Sequence, residues 1–210
     1  RDNRYLEIKK DALNRQDGLK KISHHTYIRL KILADKIRCI YGNDLSNCSL
    51  MDLGGGAGYL ACFLPEVKYF LAEPSVNGIS GVALSDFENH FDCVVSCHVF
   101  EHINKADREN FLDNLTNAAC KHVLLLNPFL IDGKDDSSMY RAALELMMDI
   151  TKQPWVQEHI EADTPFLSEV ENYASLHGYR LEKQANNAGL FTALYVYMEH
   201  FAQISGRYDE

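Results

Sequence analysis

The segment Met51-Asp52-Leu53-Gly54-Gly55-Gly56-Ala57-Gly58-Tyr59-Leu60 restricts the fold more than any other part of the chain. A short apolar run that breaks into glycines and resumes as Tyr59-Leu60 reads as a buried strand, a tight turn and the start of a helix. Glycines let a ligand approach the backbone, and a helix start presents N–H groups that have no partner inside the helix. Spacing then narrows the ligand. A dinucleotide fingerprint needs glycine at its first, third and sixth positions, and the sixth position counted from Gly54 is Tyr59, where close packing of helix on strand wants Gly or Ala. A phosphate loop of the Walker type is excluded too, because no Gly-Lys-Ser or Gly-Lys-Thr follows.

Around this turn, short apolar runs alternate with helical patterns. Runs at 50–53, 69–72, 93–97 and 122–126 are bounded by turn or polar residues, which predicts a parallel sheet covered on both faces. Helices are expected at 58–64 (closed by Pro65), at 107–119, near 139–150 after the polar stretch 132–138, and at 165–177. Ahead of the first strand, Tyr27, Leu30, Ala34, Ile37 and Tyr41 recur at steps of three and four until Gly42-Asn43-Asp44, predicting an amphipathic helix that covers the sheet. Residues 1–22 are charged and weakly periodic, consistent with a loosely docked helix. At the far end, 180–184 and 191–198 flank the turn-rich Asn186-Asn187-Ala188-Gly189 and predict an antiparallel hairpin at the sheet edge. At 210 residues with 46% apolar, one domain is expected, large enough to bury a core without disulfide staples.

The pattern Asp52-x-Gly54-x-Gly56-x-Gly58 resembles the first motif of the class I S-adenosylmethionine-dependent methyltransferases, and further matches follow in order. Glu73 closes the second strand in Leu71-Ala72-Glu73-Pro74-Ser75, where that family places an acidic residue. Asp86-Phe87 stands where the family has an acidic residue near the adenine. Phe91-Asp92 through Glu101-His102-Ile103 looks like its fourth strand and the Glu-His that follows. Glu158-His159-Ile160, Thr164-Pro165 and Gly178-Tyr179 resemble the segment before the closing hairpin in the small-molecule, type 11/12-like branch. The resemblance implies a Rossmann-like α/β fold, a doubly wound and mainly parallel sheet with an antiparallel last strand. It divides the chain into an N-terminal helical cover (1–47), an S-adenosylmethionine-binding domain (48–199) and a tail (200–210). It implies methyl transfer from S-adenosyl-L-methionine, with S-adenosyl-L-homocysteine as product. Gly54, Gly56 and Gly58 would line the methionine and ribose, Glu73 would hold the ribose, Asp86 and Phe87 would flank the adenine, and Ser96 would touch the methionine end. Only 19 positions separate Glu73 from Asp92, which leaves little room for the family's usual second crossover helix and third strand.

Residue chemistry fills in the rest. Asp52, on a buried strand, needs partners and is expected to organise the glycine turn rather than to react. His98 ends a central parallel strand, where open α/β sheets bind ligands. Trp155 and His159, four apart, would share a helical face and give the acceptor pocket an apolar wall and a base; His98 and His159 are therefore the candidate catalytic residues. His102 reads as a structural hydrogen-bonding residue, and His24-His25 as a lid over the cofactor or merely a capped helix start. Nine histidines show no metal-ligand spacing, so no metal is expected. Twenty-one Lys and Arg against 30 Asp and Glu give a net charge of −9, which repels phosphate backbones and argues for a small-molecule acceptor rather than nucleic acid. Six cysteines without Cys-x-x-Cys spacing read as buried reduced thiols, and with no membrane-length apolar segment a cytoplasmic location is expected. The alternatives are an inactive S-adenosylmethionine-binding domain or a partner-activating subunit marked by a large apolar patch.

Overall fold

The computed structural model describes residues 6–7, 22–81 and 90–185. The chain divides into two compact units, residues 1–128 and 129–210. The first holds a five-stranded sheet with β1 (Leu6–Glu7), β2 (Ser49–Leu53), β3 (Lys68–Ala72), β4 (Phe91–Cys97) and β5 (Ala119–Leu126) in the order β1-β3-β2-β4-β5. The four strands β2 to β5 run parallel, and β1 lies antiparallel on β3. The four expected apolar runs are these parallel strands, extended by one to three residues at their amino ends. The antiparallel strand seen is the N-terminal β1 rather than a final one; residues 191–198 lie outside the described part, and 180–184 form no strand.

Helix α1 (His24–Tyr41) begins where Ser23 Oγ accepts from Thr26 N at 3.1 Å and stops at Gly42, whose φ of +85° continues no helix. Its inward residues Leu33, Ala34 and Ile37 join Leu50, Leu60, Leu64, Tyr69, Leu71, Cys93 and Val95 in one apolar cluster. Cys97 packs on the same cluster, so Cys93 and Cys97 share a face, as an even step on a regular strand requires. The helix α2 (Pro74–Asn77) is a single turn, and α3 (Arg108–Ala118) buries Phe111, Leu112, Leu115 and Ala118. The segment expected as a helix at 58–64 is only a 3-10 turn, Tyr59–Cys62. Gly58 enters it in the left-handed region at φ +74° and Pro65 follows closely, so no α-helical ladder has room to form. None of the six cysteines forms a disulfide; Cys48 and Cys93 are buried, whereas Cys39 and Cys120 are exposed, contrary to the expectation of burial.

The second unit contains α4 (Ser137–Thr151), α5 (Pro154–Ala162) and α6 (Leu167–Leu176). Asp136 starts α4 by accepting from Ser138 N at 2.8 Å, which gives the polar stretch 132–138 a capping role. Leu144 and Met147 of α4 pack on Val156 and Ile160 of α5. Helix α5, which Pro154 opens at its first turn, carries Trp155 and His159, the pair expected to share a helical face. Among the described residues no helix is long and apolar enough to cross a membrane.

The amino end of the sheet is tied by Asp92. Its carboxylate accepts from Ser49 N and Ser49 Oγ, both at 2.9 Å, and lies 2.8 Å from Lys121 Nζ, so it ties the starts of β2, β4 and β5 together beside the register shift between β4 and β5. The Lys121 hydrogen bond, with those from Ser49, holds this carboxyl down to about 2. A carboxyl lowered in the folded state stabilises the fold above the ordinary aspartate range, and that contribution is lost as pH falls through about 2. Asp92→Ala should therefore cost about 1–2 kcal/mol at neutral pH, measured by urea unfolding, and its stability should change less than the parent's on acidification; equal midpoints at neutral pH would contradict the tie.

Candidate active site

Register puts the site together. Leu53 pairs with Ala72 on one side and with Ser96 on the other, and Cys97 pairs with Leu126, so the four parallel strands end along one edge. The residues immediately after them, Gly54, Glu73, His98 and Asn127, form a row along that edge. Between β2 and β4 the strand order reverses, the switch point where open α/β sheets leave a crevice for ligands.

The glycine turn hangs on this edge. Gly54 N donates to Ala72 O at 2.7 Å, carrying the ladder one step beyond the end of β2. A Cβ on Gly55 would overlap the Asp52 carboxylate and the Leu71 side chain, so this glycine, which the motif spacing passes over, is needed for the turn to close on the strand. Gly56 has φ +54° and open space where a Cβ would stand. Its N–H donates to Glu73 Oε2 at 3.0 Å.

Beneath the turn, Asp52 is almost fully buried and accepts a hydrogen bond from Tyr69 Oη. Burial is the main cause that pushes its carboxyl up to about 6; the Tyr69 bond opposes the rise and the nearby Glu73 charge adds to it. Asp52 thus faces protein rather than ligand and shapes the turn, the indirect role expected of it. Glu73 caps α2, with Oε1 accepting from Ser75 N at 3.1 Å and Ser75 Oγ at 2.8 Å. Its two oxygens are thereby aimed before any ligand arrives.

At the end of β4, Ser96 is fully buried and its hydroxyl has no hydrogen-bond partner. His98 adopts φ +56°, a left-handed conformation that costs a side chain about 1–2 kcal/mol. Its N–H donates to Leu126 O at 2.8 Å, and its ring Nδ1 lies 2.8 Å from Oε1 of Glu101, a carboxylate with no solvent exposure. Asn127 Nδ2 donates to the other oxygen, Glu101 Oε2. The His25 ring from α1 meets the His98 ring edge-on at 5.9 Å, so the start of α1 stands over His98. Sequence reading assigned no role to Glu101 and passed over Asn127, because their meeting with His98 depends on strand register.

His159 lies in the second unit, on α5, largely buried and edge-on to Trp155 at 5.9 Å, the shared helical face that the four-residue spacing predicts. Asp86 and Phe87 lie outside the described residues. The thiol of Cys97 is pushed up to about 12 by burial, which leaves no thiolate for chemistry.

No family model matches the chain, and comparison with curated proteins gives no match either. Its fold is shared with a protein from Galdieria sulphuraria, provisionally described as a sarcosine dimethylglycine methyltransferase, at a TM-score of 0.55 and 14% identity, over 97% of this chain and 77% of that one. The YcgJ protein from Bacillus subtilis aligns at 0.49 and 13% identity over 73% of this chain and 68% of its own. A SAM dependent methyltransferase from Archaeoglobus fulgidus aligns at 0.46 and 12% identity over 83% and 86%. With the parallel sheet and its flanking helices, the first likeness establishes the Rossmann-like fold of the class I methyltransferases.

Two stability measurements check the turn. Gly55→Ala should cost about 1–3 kcal/mol because the added carbon meets a buried carboxylate; an unchanged unfolding midpoint would contradict the packing. An acid whose folded pKa is raised stabilises the fold fully below its ordinary range and loses that contribution as pH rises through about 6. Asp52→Asn should abolish this decline, whereas a decline of equal size in the variant would show that Asp52 is not its source.

Proposed function

We propose that the chain is an S-adenosylmethionine-dependent methyltransferase acting on a small-molecule acceptor. The observation that supports this most is the meeting of the Gly56 N–H with the Glu73 carboxylate at the sheet's switch point, beside open space that a side chain at Gly56 would fill. A carboxylate at a strand end suits vicinal hydroxyls, and a bare backbone turn suits an extended ligand lying against it. Both features fit a ribose joined to a methionine arm. Bound there, S-adenosylmethionine supplies an activated methyl group whose positive charge leaves with transfer.

The chain's own residues then have separable tasks. Gly54, Gly56 and Gly58 line the methionine and ribose, and Glu73, already oriented by Ser75 and Gly56, holds the ribose without losing further side-chain freedom. Asp86 and Phe87 serve the adenine. Ser96 takes the methionine end with its unpaired hydroxyl. His98 accepts the acceptor's proton. The net charge of −9 favours a small acceptor over nucleic acid.

One observation favours a second reading, a partner-activating domain that binds the cofactor without turnover. Met139, Leu146 and Ile150 recur along one side of α4 and are 72%, 56% and 53% exposed, an apolar stripe of the kind that partners cover. Formation of S-adenosylhomocysteine by the isolated protein with an acceptor distinguishes the two readings.

Calorimetric titration tests the cofactor assignment. S-adenosylmethionine should bind and NAD should not. Glu73→Ala should weaken binding about tenfold or more, the loss of a charge-assisted hydrogen bond, and Gly56→Val should abolish it by forcing a branched residue into the left-handed region and filling the open space. Unchanged affinity in folded Glu73→Ala would refute the ribose assignment.

A further inference from the structure

Helix α4 carries two apolar faces and buries one. Leu144 and Met147, with Tyr140 and Met148 beside them, pack on Val156 and Ile160 of α5. On the adjoining face Met139, Ala143, Leu146 and Ile150 are exposed, following one another at steps of four, three and four. Residues so spaced stand on one side of a helix and form the seam along which it lies against another. Ala142 and Ala143, both exposed, leave a shallow place in the middle of this seam, next to Leu146. Contiguous exposed apolar side chains mark a surface that a partner covers, and the charges around the seam identify the partner. Asp135 and Asp136 stand at the amino end of α4 and Lys152 at its carboxyl end, all exposed. Two copies of α4 laid side by side in opposite directions bring Lys152 of each to the acids of the other. Laid in the same direction they would set Lys152 against Lys152 and acid against acid. Opposed helix dipoles add to the same preference.

We infer that the exposed face of α4 is the contact of a symmetric homodimer, in which α4 meets α4 of a second copy of this chain in the opposite direction. With the two-fold axis between Leu144 and Glu145, Leu146 seats on Ala143 of the second copy and Met139 lies against its Ile150. The same patch serves both copies, so every contact is made twice. Asp149, about a quarter turn from the seam, then faces Ala142 of the second copy rather than an acid. Glu145 is turned further away and is held by Arg141 at 3.1 Å, so no like charges meet across the contact. Helix α4 has 15 residues and is therefore only about 22 Å long. A seam of that length buries less than the roughly 800 Å² per partner of a standard interface, so the dimer is reversible, with a dissociation constant of about 10–100 µM. This dimer is independent of the methyltransferase reading, and it covers the stripe without calling on a different protein.

Sedimentation velocity of the whole chain tests this, over about 1 to about 500 µM so as to bracket a weak interface. Monomer should give way to dimer and to nothing larger. Leu146→Glu, at an exposed position, should weaken the dimer about tenfold or more by setting a charge in the seam. Lys152→Glu and Asp135→Lys should each weaken self-association by about three- to tenfold, because each change acts twice in a symmetric contact. An equimolar mixture of those two variants should associate as the parent does, since the exchanged charges then meet their opposites at both ends. That recovery separates lost pairing from a disturbed loop, and its absence would refute the opposed arrangement. A monomer over the whole range, a dimer that Leu146→Glu leaves untouched, or association that grows past two copies would each overturn the proposal. So would a monomer that floats with phosphatidylcholine vesicles, which would give the stripe to lipid.

Discussion

The carboxyl edge of this protein depends on one buried acid. Asp52 sits in β2 with its carboxylate closed off by Gly55 above and bonded by Tyr69 from the neighbouring β3. A carboxyl in such a place is satisfied only if the turn lies flat upon it, and the turn lies flat only because residue 55 has no side chain. From that closure the rest follows in sequence. Gly54 extends the ladder to Ala72, Gly56 is turned so that its N–H meets Glu73, and Glu73 is held at the mouth of the crevice. The two acids adjoin, and the Glu73 charge is one cause of the raised Asp52 carboxyl.

The two ends of the sheet divide stability from chemistry. At the amino end Asp92 gathers Ser49 and Lys121, and Tyr41 Oη donates to the Asp92 carbonyl at 2.8 Å while its oxygen lies 2.7 Å from His122 Nδ1. These contacts are fully paired and ask for no ligand. At the carboxyl end the pattern is the reverse. Ser96 Oγ is buried and without a partner, Gly56 faces open space, and His98 is kept in a conformation its side chain disfavours. Polar groups left unpaired in a buried place, beside strain, mark where a fold has given up stability for another purpose.

Much of this was legible in the sequence because its signals are local. The parallel strands are continuous apolar runs, and α1 announces itself through its three- and four-residue spacing, Ser23 and Gly42. Glu73 was recognisable as a strand-end acid, although its bond to Gly56, seventeen positions earlier, was not. Misreadings have equally local causes. Apolar residues after Gly58 suggested an α-helix, but periodicity does not register a left-handed entry, and a 3-10 turn resulted. The two-residue β1 carries no pattern at all, yet it occupies the sheet edge beside β3, next to the strand that presents Glu73. The Asn127–Glu101–His98 arrangement was invisible for another reason: its members meet only once β4 and β5 align, and no spacing in the chain encodes that register.

The central claim is that the glycine turn and the row of residues beside it receive S-adenosylmethionine. Backbone amide shifts recorded while the product S-adenosylhomocysteine is added test it most directly. The account predicts saturable shifts at Gly54, Gly56, Gly58 and Ser96, with Ser49, Asp92 and Lys121 at the opposite end unmoved. Shifts confined to the amino end, or none at all at a ligand excess that saturates any micromolar site, would contradict it.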